Sequence, residues 1–333
     1  MQPTPAISVV LPYFNAEKTL ARAIESILNQ TFQDFELILI NNNSSDGSEK
    51  IASRFASIDH RVRLKPVKRQ GVAHASNHGF ELASAPLIAR MDADDEMLPD
   101  RLEKQVNFLN AHPIIGLVGG QVEYHGADAN EGFRHYVDWS NSLIQANDIF
   151  TNRFVELPIV NPTIMFRKHL FEKHGGYTDG DFPEDYEMIL RWMEKGVQMG
   201  KIESPVLKWN DHPERLTRTD TRYSDTVFYQ VKAKYLASWL TKEAPSKDIW
   251  IWGAGKLSRR RSSLLEDHGI QIKGYIDVKP RQLVLPCIDF KDIPEPGALF
   301  ILSYVANRGK RKEIKQYLLE KGYKEGVDFL LVA

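Results

Sequence analysis

Two hydrophobic periods alternate along the N-terminal part of the chain, and that alternation limits the fold more than any other feature. Ile7-Ser8-Val9-Val10-Leu11 is a β-branched run broken by Pro12, and Leu20, Ala23, Ile24, Ile27 and Leu28 then recur at helical spacing. Phe35 to Ile40 is the next apolar run, after which Ser45 or Asp46 can cap a helix through Ile51 and Phe55. Val62-Arg63-Leu64, a helix from Gly71 to Ala83 and a strand from Leu87 to Met91 continue the pattern. Strands separated by helices pair in parallel, and the helices cover both faces of the sheet.

In such sheets ligands gather at the carboxyl ends of the strands. Here those ends carry Pro12-Tyr13-Phe14-Asn15, then Asn41-Asn42-Asn43-Ser44-Ser45-Asp46-Gly47, then Asp92-Ala93-Asp94-Asp95. Three carboxylates in one short stretch repel one another unless a cation neutralises them. Asp92 and Asp94 are two apart, so a continuing strand would aim both at one face. Hard oxygen ligands suit Mg²⁺ or Mn²⁺, usually shared with a substrate's phosphates. The competing account is an acidic loop that caps the helix starting near Pro99.

The rest of the composition narrows the class. With 333 residues, 42% hydrophobic and 26% charged, the chain can form one large globular domain plus a small one. A net charge of −1 gives no reason to expect nucleic acid as a partner. The single cysteine, Cys287, excludes an internal disulfide and a cysteine zinc cluster, and fits a reducing compartment. No apolar stretch approaches the roughly 18 residues needed to span a bilayer, and the start does not read as a signal peptide. The expectation is a cytoplasmic protein, with room for peripheral contact at a membrane's inner face and for self-association.

Further along, Pro99 to Asn110 reads as an amphipathic helix, Ile114 to Tyr124 as a strand region and Gly126 to Ser140 as loop. Phe182-Pro183-Glu184-Asp185-Tyr186-Glu187 is a second chemical centre. Pro183 suits a first helical turn and acids there complement the helix dipole, which accounts for Glu184 and Asp185 without catalysis.

The ordered set Val9-Val10-Leu11-Pro12-Tyr13-Phe14-Asn15, Gln30-Thr31-Phe32, Asn43-Ser44-Ser45-Asp46-Gly47-Ser48, Gly71-Val72-Ala73-His74-Ala75-Ser76-Asn77 and Asp92-Ala93-Asp94-Asp95 resembles inverting family 2 glycosyltransferases of the GT-A fold. The resemblance covers about residues 5 to 220. It implies a nucleotide-sugar donor lying across the strand ends, with Pro12, Tyr13 and Glu17 near base and ribose, Asn42 at the base edge, and Asn77 among the donor contacts. It also implies Asp92 at the ribose and the metal, and Asp94 on an Mn²⁺ or Mg²⁺ bridging the diphosphate. His212, in Trp209-Asn210-Asp211-His212-Pro213-Glu214-Arg215, corresponds to a family histidine near the diphosphate that sometimes binds the metal. By the same resemblance Arg215 and Arg218 would be secondary phosphate contacts. Asp185, matching the family's Glu-Asp motif, would be the general base. The implied acceptor is a hydroxyl of a glycan or lipid-linked glycan, in surface polysaccharide assembly, and the implied donor a UDP-sugar. Two departures bear on the base: the family often has an acid at Asn41 or Asn42, and commonly an arginine at Ser76.

Beyond a helix over Tyr223 to Leu240 that closes the first domain, Ala244-Pro245-Ser246-Lys247 reads as a linker. The expected domains are 1–243, of GT-A type with a mostly parallel sheet, and 248–333, a small Rossmann-like unit. In the latter, Ile249-Trp250-Ile251-Trp252-Gly253-Ala254-Gly255 carries half a dinucleotide fingerprint, and Asp277 could reach a ribose. Arg259-Arg260-Arg261 offers a basic face. Two other readings compete: a sugar-phosphate nucleotidyltransferase, which would want a glycine- and arginine-rich loop after the first strand, and a binding protein whose transferase domain is inactive.

Overall fold

The computed structural model describes residues 4–126 and 131–333. It divides into two compact units, the first comprising Met1–Ile149, Pro158–Gly180 and Glu184–Thr219. There β1 (Ile7–Tyr13), α1 (Leu20–Leu28), β2 (Phe35–Asn41), α2 (Ser48–Ile58), β3 (Val62–Pro66), α3 (Val72–Leu82) and β4 (Leu87–Arg90) follow the two periods of the sequence. These strands pair in parallel in the order β3-β2-β1-β4. Every position of β1 is buried because helices cover both faces. Ile7, Val9 and Leu11 join the core formed with Leu20, Ile24 and Ile27 of α1. Val10 faces the other way, toward α3, where a Cβ on Gly79 would lie 2.2 Å from Val10 Cγ1. Only glycine lets that helix sit so close to the sheet.

The unit continues through β5 (Glu96–Met97), α4 (Arg101–Ala111), β6 (Ile115–His125) and α5 (Glu131–Ser142), and α6 (Ala146–Asn152) is divided between the two units. The first unit ends with β7 (Met165–Arg167), α7 (Lys168–His174), α8 (Glu184–Glu194), β8 (Gln198–Asn210) and α9 (Leu216–Thr219). The full sheet runs β3-β2-β1-β4-β7-β6-β8-β5. Here β7 is antiparallel to both β4 and β6, β6 and β8 are parallel, and β5 is antiparallel to β8. The central sheet is therefore mixed, with its parallel block where strand and helix alternate in sequence.

The loop expected over 126–140 is corrected from residue 131 onward, where α5 forms; 127–130 lie outside the described residues. Its sequence lacks a clean period because its aromatic residues are bound by a distant ring. Phe133 and Tyr136 pack against Trp209, at 5.6 and 6.2 Å between centroids.

The second unit comprises Phe150–Leu157, Asp181–Pro183 and Asp220–Ala333. It contains α10 (Asp225–Glu243), β9 (Asp248–Trp252), α11 (Lys256–Ser262), β10 (Ile272–Asp277), β11 (Cys287–Asp289), β12 (Leu299–Ser303), α12 (Arg308–Glu320) and β13 (Phe329–Leu331). Its strands are all parallel in the order β11-β10-β9-β12-β13, so strand order reverses beside β9. Sequence reading put the helix ending near Leu240 with the first domain, whereas α10 belongs to this unit. Trp239 packs on Phe300 at 5.6 Å, Tyr229 on Tyr304 at 6.3 Å, and Arg261 pairs with Asp225 at 2.8 Å. The arginine run is thus partly committed: Arg261 also lies over the Tyr229 ring, and Arg260 reaches Thr226. Asp277 accepts from the Ala254 N–H at 2.8 Å and so holds the glycine turn after β9. Among the described residues, no helix is long and apolar enough to cross a membrane.

Candidate functional site

The carboxyl ends of β1 and β2 are knitted together by their own polar loops. Asn15, in the left-handed region at φ 47°, accepts from Ser45 N–H, and Ser44 Oγ accepts from Asn15 N–H. Asp46 accepts from the Glu17 and Ser48 N–H groups, and Glu17 accepts from Gly47 N–H at 2.8 Å. Asn42 is buried, donating to Arg69 O and accepting from Gly71 N–H, both at 2.8 Å. Tyr13 is buried beneath the same edge, where desolvation and the charges of Glu49 and Asp46 push its hydroxyl pKa up. Much of this polar sequence is therefore spent on holding the rim together. Asn42 and Glu17, expected at the base and ribose, hold neighbouring loops, and Pro12 and Tyr13 lie in β1 itself.

Asn77 is not at the rim. It brackets the backbone of Tyr177, donating to its carbonyl at 2.7 Å and accepting from its N–H at 2.9 Å. Arg191 and Trp192 of α8 bind the carbonyls of His174, Gly176 and Gly175, so α3, this turn and α8 are locked together. The Tyr177 hydroxyl donates to Asn161 at 2.7 Å.

The acidic stretch leaves the strand. β4 ends at Arg90, and Asp92 to Asp95 form a turn leading into β5, which corrects the picture of a strand aiming Asp92 and Asp94 at one face. The turn gathers all three aspartates, whose ligand atoms lie within 4.8 Å of one another. At that spacing each like-charged pair costs roughly 3 kcal/mol at an effective dielectric near 20. Two guanidiniums and an imidazole answer them. Arg90, fully buried at the end of β4, donates to Asp92 at 2.6 Å. His212 Nε2 donates to Asp94 Oδ2 at 2.8 Å. Arg215 donates to Asp95 at 3.1 Å and reaches Asp92 and Asp94 at 3.7 and 3.8 Å.

Each carboxyl responds differently. Burial raises the pKa of Asp95 well above the ordinary range, reinforced by Asp94 and Asp92 against the pull of Arg215. For Asp94 burial also acts upward, but the His212 hydrogen bond and the Arg215 charge leave it below the usual value. Asp95 is wholly buried and accepts from Asn210 N–H at 2.8 Å, so it anchors the end of β8. Hard oxygens gathered this closely, with an imidazole beside them, fit a divalent ion of the Mg²⁺ or Mn²⁺ kind.

Asp185 stands at the first turn of α8, and burial together with adjacent Glu184 pushes its pKa up to about 7, with Arg90 drawing it down and Asp92 adding to the rise. The two acidic motifs of the sequence therefore share one electrostatic environment. Sequence reasoning missed Arg90, although a lone arginine inside an apolar strand two residues before an aspartate was a usable signal. It also missed the pairing of Asp95 with Arg215 and of Asn77 with Tyr177, which no local pattern shows. Arg218 binds Asp211 of its own segment and lies over Phe133 of α5, so its guanidinium is already engaged.

A family model described as glycosyl transferase family 2 matches residues 8–175. The O-antigen biosynthesis glycosyltransferase WbnJ of Escherichia coli is 31% identical over 245 residues, covering 71% of this chain and 89% of the relative. Among solved structures, Staphylococcus aureus TarS 1–349 in complex with UDP-GlcNAc is similar at 13% identity and TM-score 0.53, over 78% of this chain and 70% of that one. The mannosyltransferase PcManGT of Pyrobaculum calidifontis, in complex with GDP-Man and Mn²⁺, is similar at 17% identity and TM-score 0.52, over 80% and 70%. At these identities the two structures speak for the fold, which is of the GT-A kind.

Proposed function

The chain belongs to glycosyltransferase family 2, and from that premise we propose that it moves a sugar from a UDP-linked donor to a glycan or lipid-linked glycan hydroxyl, with inversion and with a divalent cation. Family membership sets aside the nucleotidyltransferase and the inactive binding protein. The observation that supports the mechanism is the gathering of Asp92, Asp94 and Asp95 on one turn with His212 beside them, in a unit whose α8 opens with Glu184 and Asp185.

In this reading Asp94, Asp92 and His212 would hold Mn²⁺ or Mg²⁺, which would supply compensation for the charge that develops on the departing diphosphate. Asp185 accepts the proton of the acceptor hydroxyl as its oxygen attacks the anomeric carbon, within hydrogen-bond reach of that oxygen. The bond to the donor diphosphate breaks on the opposite side, and one displacement inverts the configuration. The carboxyl raised to about 7 suits the task, because a base that binds its proton more firmly draws it more strongly from a hydroxyl. Pro12, Tyr13, Glu17 and Asn42 shape the nucleotide side, the last two by holding backbone in place, while Asn77 steadies the turn before α8. The GT-A relatives solved with UDP-GlcNAc and with GDP-Man and Mn²⁺ support a nucleotide-sugar donor and a metal. A lipid-linked acceptor would bring the enzyme to the inner face of a membrane as a peripheral protein.

The test is a donor screen by release of nucleoside diphosphate, with Mn²⁺ and then with chelator, followed by the anomeric configuration of the product. Release of UDP that chelation abolishes, with an inverted product, is the expected result. GDP release in place of UDP would change the base assignment, and turnover unaffected by chelator would remove the metal.

A further inference from the structure

We propose that Arg215 is a resident counter-cation of the aspartate turn, which keeps a divalent ion from binding well until a diphosphate arrives with it. The inference rests on the donor reading above and adds a binding order to it. Arg215 is only 8% exposed, and its guanidinium is held from several sides. Nη1 donates to Asn210 O at 2.7 Å and to Asp95 Oδ1 at 3.1 Å, while the group lies 4.7 Å from the centre of the Trp209 ring. Those contacts fix the fork. From there it reaches Asp92 Oδ2 at 3.7 Å and Asp94 Oδ2 at 3.8 Å, distances of ionic contact and too long for hydrogen bonds.

The division matters. Arg215 is bonded to the aspartate that anchors β8, yet it only neutralises the two expected to hold the metal. Their charge is compensated while their oxygens are not committed to the guanidinium. An arginine guanidinium keeps its proton in proteins, so this counter-charge is permanent. A divalent ion arriving alone meets carboxylates that two guanidiniums already compensate, and both guanidiniums repel it. A nucleoside diphosphate changes the balance. It adds negative charge and gives the Arg215 donors new acceptors, since guanidinium and phosphate form charge-assisted, forked hydrogen bonds. Metal and nucleotide then favour each other, and by linkage each raises the other's affinity by the same factor.

Arg90 cannot take this part, being sealed in the sheet with its bond to Asp92. Arg215 sits on the segment after β8 that also carries His212, so one short segment supplies both a neutralising cation and a candidate ligand.

The experiment counts free Mn²⁺ by its electron paramagnetic resonance signal, on the full chain, with Mn²⁺ alone and with Mn²⁺ plus UDP. The wild type should bind Mn²⁺ weakly alone and much more tightly with UDP. Arg215→Met should bind Mn²⁺ alone about tenfold or more tightly than wild type, because a competing charge has gone, while the UDP-dependent enhancement shrinks. A residue that merely held the fold would weaken metal binding when lost, the opposite sign. If Arg215→Met fails to fold, Arg215→Gln is measured the same way. It removes the charge but keeps an amide donor for Asn210 O and Asp95, and an Mn²⁺ affinity above wild type again supports the proposal. Affinity equal to or below wild type in a folded variant overturns it, as does tight Mn²⁺ binding by the wild type alone. Absence of any UDP effect in the wild type would instead count against the donor assignment, so the two readings fail separately.

Discussion

At the scale of single residues, Asp185 carries the sharpest expectations. Its carboxyl titrates at about 7 in the folded chain because of burial and the Glu184 charge, against about 4 in an unfolded one. As a base it must lose its proton, so kcat/KM should rise with pH through an apparent pKa near 7. The same shift has a stability sign. The folded state holds this proton more tightly, so the contribution is full below about pH 4 and is lost as pH rises toward 7. Asp185→Asn should remove the acidic limb of the rate profile, flatten that part of the stability curve, and lower kcat by ~10² or more with donor affinity nearly unchanged. Normal turnover in that variant would move the role elsewhere, Glu184 first. Asp94→Ala should abolish metal-enhanced UDP binding, which calorimetry with and without Mn²⁺ reads directly.

At the scale of elements, the site depends on how α3, the turn at Gly175-Gly176-Tyr177 and α8 are held. Asn77 satisfies both backbone groups of Tyr177, and Asn77→Ala leaves a buried donor and acceptor unpaired. A loss of about 1–3 kcal/mol is expected in urea denaturation. Because the turn positions the helix that bears Asp185, kcat should fall more than nucleotide affinity; the reverse would put Asn77 in direct contact with the donor. Gly79→Ala asks a related question of α3. Its Cβ would fall 2.2 Å from Val10 Cγ1, so the helix must move off the sheet at a cost of about 1–3 kcal/mol, read as a lowered midpoint. The alternating elements were legible because their periods are local, whereas α5 was not, because its helix is chosen by the distant ring of Trp209.

At the scale of the whole molecule, every residue of the proposed site precedes Thr219 and lies in the first compact unit. The second is a five-stranded parallel sheet with α10 packed on it through Asp225, Tyr229 and Trp239. A chain ended at Pro245 therefore strands α10, removing Arg261, Tyr304 and Phe300 from its faces. The expected product binds hydrophobic dye and melts earlier than the full chain, yet still binds UDP with Mn²⁺. Loss of nucleotide binding in a folded truncation would mean that the second unit completes the donor site. The sequence reading ended the first domain after α10, whereas the contacts of Asp225, Tyr229 and Trp239 join α10 to the second unit, because a helix's own residues do not name the surface that buries it.

The sequence by itself determined the strand and helix order of the parallel block, the two acidic centres and the Rossmann-like tail, because each is written in neighbouring residues. Period, run of charge and glycine turn act over a few positions and need no distant partner to be read. Only the tertiary structure decided that Asp92, Asp94 and Asp95 share a turn, that Arg215 neutralises them from 120 residues away, and that Asn42, Glu17 and Asn77 hold backbone. Those outcomes depend on which unpaired donor or charge the fold leaves nearest. A buried carboxylate must find a cation and a buried amide must find backbone partners, but the chain's order does not say where they come from.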